Sequence, residues 1–187
     1  MSRVTAVNKP SDYPGMPDDK TREDLAALFA HMFPGVENPE IDSAHSGVAI
    51  AALNPGLALH LSKLSGFAAL QLGWCQRADL RELAIQTVNL HFKSDYSAQS
   101  RYRAWEAVGL RMEQLAALPF WKTSPLFDDE QRLVIEYAVA VVSGDVPEGL
   151  FARVVARYGE KGAVECTAVV GIWSMWAMLI NATQPKL

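Results

Sequence analysis

At 187 residues, half of them hydrophobic and one fifth charged, the chain carries enough apolar material for the core of one domain with an N-terminal extension. A formal charge of −4 argues against non-specific binding to nucleic acid. The run Arg77, Arg81, Lys93, Arg101, Arg103 and Arg111 is interrupted by Asp79, Glu82, Asp95 and Glu106, which suits a solvated face or a small anion site better than a track for phosphates.

Residues 1–22 are polar and proline-bearing and are expected to form a flexible or draped arm without a secretory apolar core. Thr21-Arg22-Glu23-Asp24 reads as a capping box, followed by Leu25, Leu28, Phe29 and Met32 at helical spacing and stopped by Pro34-Gly35. A short helix is predicted from Ser43 to Ala52. Asn54-Pro55 then starts a longer one, with Leu57, Leu61, Leu64, Phe67, Ala68 and Leu72 on one stripe. Asp79 is expected to cap the next helix, Leu80 to about His91, and a further helix should run from Tyr96 to Val108 and end at Gly109.

Arg111–Leu118 reads as a short helix before Pro119. Asp128 or Asp129 opens the helix containing Leu133, Val134, Tyr137, Ala138, Val141 and Val142, which Gly144 closes. Pro147 opens another, to Tyr158-Gly159, and the last and most apolar helix is predicted from Lys161 to Asn181. The periodicity is helical throughout, so the fold class is all-α, with one helical domain over residues 23–187. The longest apolar stretches are read as interrupted by polar residues before reaching bilayer-spanning length, so no membrane contact and a cytoplasmic location are expected. The high apolar and aromatic content points to a homo-oligomer that packs through helical surface.

Two sets of residues could carry chemistry. Glu82, Gln86, Asn89 and Lys93 follow one another at spacings of four, three and four, a polar stripe on an otherwise apolar helix. The stripe faces either water or a cleft; in a cleft, Glu82 becomes a desolvated carboxyl group able to relay a proton. Ser94, Ser97 and Arg101 lie three and four apart across the start of the following helix. Ser94 could cap that helix, and either hydroxyl could hold a ligand oxygen, with Tyr96 and Gln99 as further binding candidates. Arg101 could clamp a carboxylate with two parallel hydrogen bonds; its alternative is a surface pair with Asp79 or Asp95. His91, nine residues after Glu82, is a candidate base. His31, His45 and His60 lack metal-ligand spacing, and no dinucleotide signature is present, so neither metal nor cofactor is called for. Cys75 and Cys166 are read as small buried hydrophobes, with a thiol activity through Cys75 as a lesser alternative.

Leu80-Arg81-Glu82-Leu83-Ala84-Ile85, the Asp95-Tyr96 helix opening, Ala107-Val108-Gly109-Leu110, Leu133-Val134-Ile135-Glu136-Tyr137-Ala138 and the Gly171-Ile172-Trp173 to Asn181 helix occur in an order that resembles the carboxymuconolactone decarboxylase and alkylhydroperoxidase D-like family over residues 53–182. The resemblance implies an all-helical fold assembled into trimers, hexamers or paired dimers. The peroxidase branch of that family has a glutamate, a C-x-x-C pair and a histidine. Carried onto this chain they fall on Glu82, on Ser94 and Ser97, and on Arg101. In the decarboxylase branch, a histidine and a glutamate–tryptophan pair stand where this chain has Arg101, Ser97 and Ala98. Serine supplies no low-pKa thiolate and closes no disulfide. The resemblance therefore implies a non-redox enzyme that transfers a proton on a small carboxylated or lactone substrate, using Glu82, His91 and Arg101. Its alternative is a catalytically silent ligand-binding or structural homologue.

Overall fold

A computed structural model describes residues 2–74 and 77–185, and all regular structure among them is helical. The α-helices are α1 (Asp19–Met32), α2 (Ser46–Ala51), α3 (Pro55–Leu70), α4 (Ala78–Phe92), α5 (Asp95–Ser100), α6 (Tyr102–Ala107), α7 (Met112–Ala117), α8 (Asp129–Ser143) and α9 (Glu148–Thr183). The chain divides into two compact units, one made of Met1–Gly66 with Leu179–Leu187 and the other of Phe67–Met178.

In the first unit, α1 begins at Asp19 rather than at the expected Thr21 box. Asp18 is its cap, its carboxylate accepting from the Thr21 amide at 2.7 Å. Aspartate preceded by Pro17 satisfies an orphan amide three residues earlier than the threonine would. The segment expected to be a flexible or draped arm is tied down at several points. Val7 is fully buried, its amide donates to the Ala49 carbonyl at 2.8 Å, and the Ile41 amide donates to Asn8 at 2.8 Å. Leu25, Leu28 and Phe29 of α1 and all six residues of α2 are buried.

The second unit is built around α4, which packs on α8. Every residue from Glu82 to Asn89 is buried, so this helix is covered on all sides, and its polar stripe faces protein rather than water. Leu80, Leu83, Ile85 and Val88 join Val134, Ile135 and Ala138 of α8, Val169, Val170 and Ala177 of α9, and Trp105 in one apolar core. Truncating either Leu80 or Leu83 to alanine would cost about 2–5 kcal/mol.

α8 is capped by Asp128 in a reciprocal box with Gln131 and ends at Gly144, whose φ of 74° suits glycine. α9 contains one non-helical residue, Gly159 (φ 70°, ψ 169°), at the position where the sequence separates two helices. By length and composition α9 is apolar enough to cross a membrane, with a mean hydropathy of 1.7 over its most apolar eighteen residues. The sequence expectation counted its polar and charged residues as interruptions. Thr167 and Ser174 return their hydroxyl protons to the carbonyls of Ala163 and Val170 in the same helix, and Glu165 is a charged residue within the same stretch. Half of that window is buried within the protein, as in a core helix.

Candidate functional site

Local backbone geometry brings the two predicted sets together. α4 ends on Lys93, which adopts a left-handed conformation (φ 51°, ψ 44°). The Ser94 amide donates back to the Asn89 carbonyl at 2.8 Å, closing the sharp turn from α4 into α5. The single helix expected from Tyr96 to Val108 is two short ones, α5 and α6, and Arg101 is the joint between them (φ −105°, ψ 5°).

From that joint the Arg101 guanidinium reaches Glu82 with two bonds: Nε donates to Oε1 at 2.9 Å and Nη2 to Oε2 at 2.6 Å. The Glu82 side chain is 1% exposed and that of Arg101 24%. Arg101 Cζ also stands 5.5 Å from the centroid of the Trp173 ring, and Trp173 is itself buried. The carboxylate is thus held by a planar two-pronged donor whose other side stacks on an indole. Chemically, both carboxylate oxygens are engaged. The prong of Arg101 that could have clamped a substrate carboxylate is directed at Glu82 instead.

A second polar group follows along α4. Gln86 Nε2 donates to the Ala98 carbonyl of α5 at 3.2 Å, and Asn89 Nδ2 donates to Gln86 Oε1 at 3.2 Å. Asn89 Oδ1 and Ser94 Oγ are buried and have no hydrogen-bond partner among the described residues. Ser94 was expected to cap the next helix through its hydroxyl. It stands at the cap position, but its side chain makes no capping bond, because its extended cap geometry is replaced by the turn imposed by Lys93. Ser97 is buried.

The remaining candidates are placed apart from this buried set. His91 is exposed and meets Phe92 edge-on, with ring centroids 5.1 Å apart. Gln99 is exposed and Tyr96 half-buried. Lys93, the last member of the stripe, is exposed at the end of α4. Among the described residues no group of three or more His, Cys, Asp or Glu could hold a metal ion. Cys166 is buried, and Cys75, the alternative thiol, lies outside the described residues.

Sequence reasoning missed the role of Trp173, although an acid in an apolar helix followed by an aromatic pair (Glu165, Trp173, Trp176) is visible in α9. It also missed a second charged cluster. Glu130 Oε2 accepts from Arg77 Nη1 at 3.0 Å, while Oε1 accepts from Tyr158 Oη at 3.0 Å and pairs with Arg157 Nη2 at 2.8 Å. Burial would raise the Glu130 carboxyl, but the hydrogen bonds from Arg157 and Tyr158 and the two guanidinium charges outweigh it and hold the group below its ordinary value. Asp79, also partly buried, is lowered in the same way by its two bonds from Arg77. Burial, followed by the bond to Glu130, raises the Tyr158 phenol far above its usual range.

No family model matches the chain, and no solved structure matches it. A curated protein of Escherichia coli (strain K12), described as "Uncharacterized protein YnjA", is 36% identical over 72 residues. The similarity takes in 37% of this chain and 40% of that protein, so the chain spans well under half of the length of the relative it resembles.

Proposed function

We propose that the chain is a catalytically silent, ligand-binding or structural homologue of the carboxymuconolactone decarboxylase and alkylhydroperoxidase D-like family. In this reading the thiol relay has been replaced by a closed clasp. The observation that carries it is the two-bond pairing of Arg101 with fully buried Glu82. A proton relay needs a carboxyl group with a free oxygen and a partner that can give up its proton; a guanidinium does not. Serines at positions 94 and 97 offer no redox chemistry.

A second reading, a non-redox enzyme that moves a proton on a small carboxylated or lactone substrate, is favoured by the unpartnered buried oxygens Asn89 Oδ1 and Ser94 Oγ, which could orient substrate. Assembly into a homo-oligomer through helices belongs to both readings. It is supported by large apolar side chains left in water, among them Leu70 at 77% and Phe120 at 69% exposure.

The test is turnover by the purified chain of carboxymuconolactone and of organic hydroperoxide with a dithiol reductant, beside a Glu82→Gln variant. Background-level rates for both proteins are expected. A rate well above background that Glu82→Gln abolishes would replace the silent reading with the enzymatic one. Light scattering on the eluted protein reads the oligomer directly, and a monomer at all concentrations would refute the assembly.

A further inference from the structure

One side of α9 joins the core of the second unit through Val169, Val170 and Ala177. Its opposite side is left open. Val164, Ala168, Gly171, Met175 and Met178 follow one another at spacings of four, three, four and three, the heptad seam along which one helix packs on another. Val164 is 65% and Met178 51% exposed; Ala168 and Gly171 are exposed and Met175 is half-buried. Lys161 heads the seam, and no charged residue follows it there as far as Met178.

Gly171 is the residue that the single chain leaves unexplained. It lies inside the helix without leaving helical geometry, where glycine costs about 1 kcal/mol relative to alanine. A Cβ at that position would meet nothing within 4 Å, so no neighbour among the described residues requires the side chain to be missing. A glycine in such a place suits the close approach of a backbone from outside the chain.

We propose that this seam packs against the same seam of a second copy, antiparallel, about a two-fold axis through Gly171. The inference rests on the homo-oligomeric assembly proposed above and names its contact surface. The order of side-chain sizes selects both the partner and the direction. The shorter Val164 and Ala168 precede Gly171, and the longer Met175 and Met178 follow it. Antiparallel copies set Val164 against Met178 of the second copy and Ala168 against its Met175, so each layer joins a short side chain to a long, adaptable one. Parallel copies would set methionine on methionine and alanine on alanine, with uneven gaps between them. Charge agrees with size. Antiparallel copies hold the two Lys161 ammoniums about 30 Å apart, where salt screens them, whereas parallel copies would bring them together. A lipid surface fits less well, because the seam carries one cation and no aromatic side chain. The face is about 21 Å long and about 10 Å wide, smaller than the ~800 Å² per partner of a standard interface, so the pair is weak and dissociates in the micromolar range.

The experiment follows the full-length protein by sedimentation velocity across the micromolar range, where a reversible monomer–dimer equilibrium is expected. Gly171→Leu places a side chain in space that is open in the single chain. It should keep or raise the melting temperature, yet shift association about tenfold to higher concentration. In a Cys75→Ser background, the double variant Val164→Cys with Met178→Cys should form a covalent dimer under mild oxidation. Neither single variant should do so, because each new thiol meets only the other across the axis. A parent that stays monomeric would remove this pair together with the assembly on which it rests. A folded Gly171→Leu that associates like the parent, or a double variant that links no better than the singles, would overturn the α9 pairing alone and leave assembly to another surface. Co-sedimentation of the parent with phosphatidylcholine vesicles, abolished by Met178→Glu, would assign the seam to lipid and overturn the pairing as well.

Discussion

Replacing Arg101 by methionine removes the guanidinium but keeps much of its aliphatic volume. Glu82 is then left as a carboxylate with a 1% exposed side chain and no charged partner. Breaking a buried ion pair from one side costs about 3–5 kcal/mol, because the desolvated charge remains. The 24% exposure of Arg101 lets some water reach the orphaned group and places the loss near the lower end, about 3 kcal/mol; the lost stacking on Trp173 adds on the order of 0.5–1 kcal/mol. For a chain of this size each kcal/mol moves the melting temperature by roughly 2–4 °C, so a drop of roughly 7–16 °C is expected. The informative comparison is the double variant Glu82→Met with Arg101→Met, which buries neither charge. Replacing a buried pair by apolar groups is near neutral or stabilising, so most of the loss should return. Urea unfolding followed by circular dichroism and by tryptophan fluorescence measures all four corners of the cycle. A loss under about 1 kcal/mol in Arg101→Met, or a double variant as unstable as the single one, would refute the view that Glu82 is a buried charge held by Arg101.

Three further outcomes follow from the same physics. Glu130 and Asp79 are held below their ordinary values, so their stabilising contribution is complete above the unfolded-state values, near pH 4, and is lost as pH falls through the lower folded-state values. Glu130→Gln should cost on the order of 1 kcal/mol at pH 7 and flatten the acid limb of stability against pH; an unchanged limb would show that the cluster is electrostatically idle. Lys93→Gly should stabilise the protein by about 0.5–1 kcal/mol in chemical denaturation, since the lysine holds φ 51°, and a destabilised variant would count against strain at this turn. Gly162→Ala should lower stability by about 1–3 kcal/mol, because the new methyl group meets Tyr158 Cβ at 2.6 Å; a melting temperature equal to the parent's would contradict that packing.

Helices were legible wherever local chemistry sufficed. Asp128 with Gln131, Gly144 and the Gly159 break all carry their geometry in residue type. The errors lie where a neighbour decides. Nothing between Tyr96 and Val108 announces a break, because Arg101 leaves helical geometry at a joint whose guanidinium reaches a carboxylate nineteen residues earlier. Lys93 is a poor intrinsic choice for a left-handed residue, so the turn after α4 is invisible to propensity. The direction of the Glu82–Asn89 stripe was undecidable from spacing. A helix polar on one side reads as amphipathic, and only the covering of that side by α5 and by Arg101 turns it into an interior network.

The silent reading turns on position 101 holding an arginine and not a titratable histidine, and the effect of that choice can be isolated. An imidazole titrates near pH 6.5 and passes protons; a guanidinium keeps its protons throughout the range in which proteins fold. With Arg101, the pairing that covers Glu82 is therefore independent of pH near neutrality. In Arg101→His the partner becomes titratable. Its protonated form is favoured by the buried carboxylate, so its folded-state value rises above the unfolded one. The stabilising contribution is then complete below about pH 6.5 and is lost as pH rises through the raised folded value. Thermal melts from pH 6 to pH 9 should be flat for the parent in the contribution of this pair and decline for Arg101→His, by about 1–2 kcal/mol. Matching profiles would mean that the charge at position 101 does not govern Glu82, and the distinction drawn between a clasp and a relay would lose its physical basis.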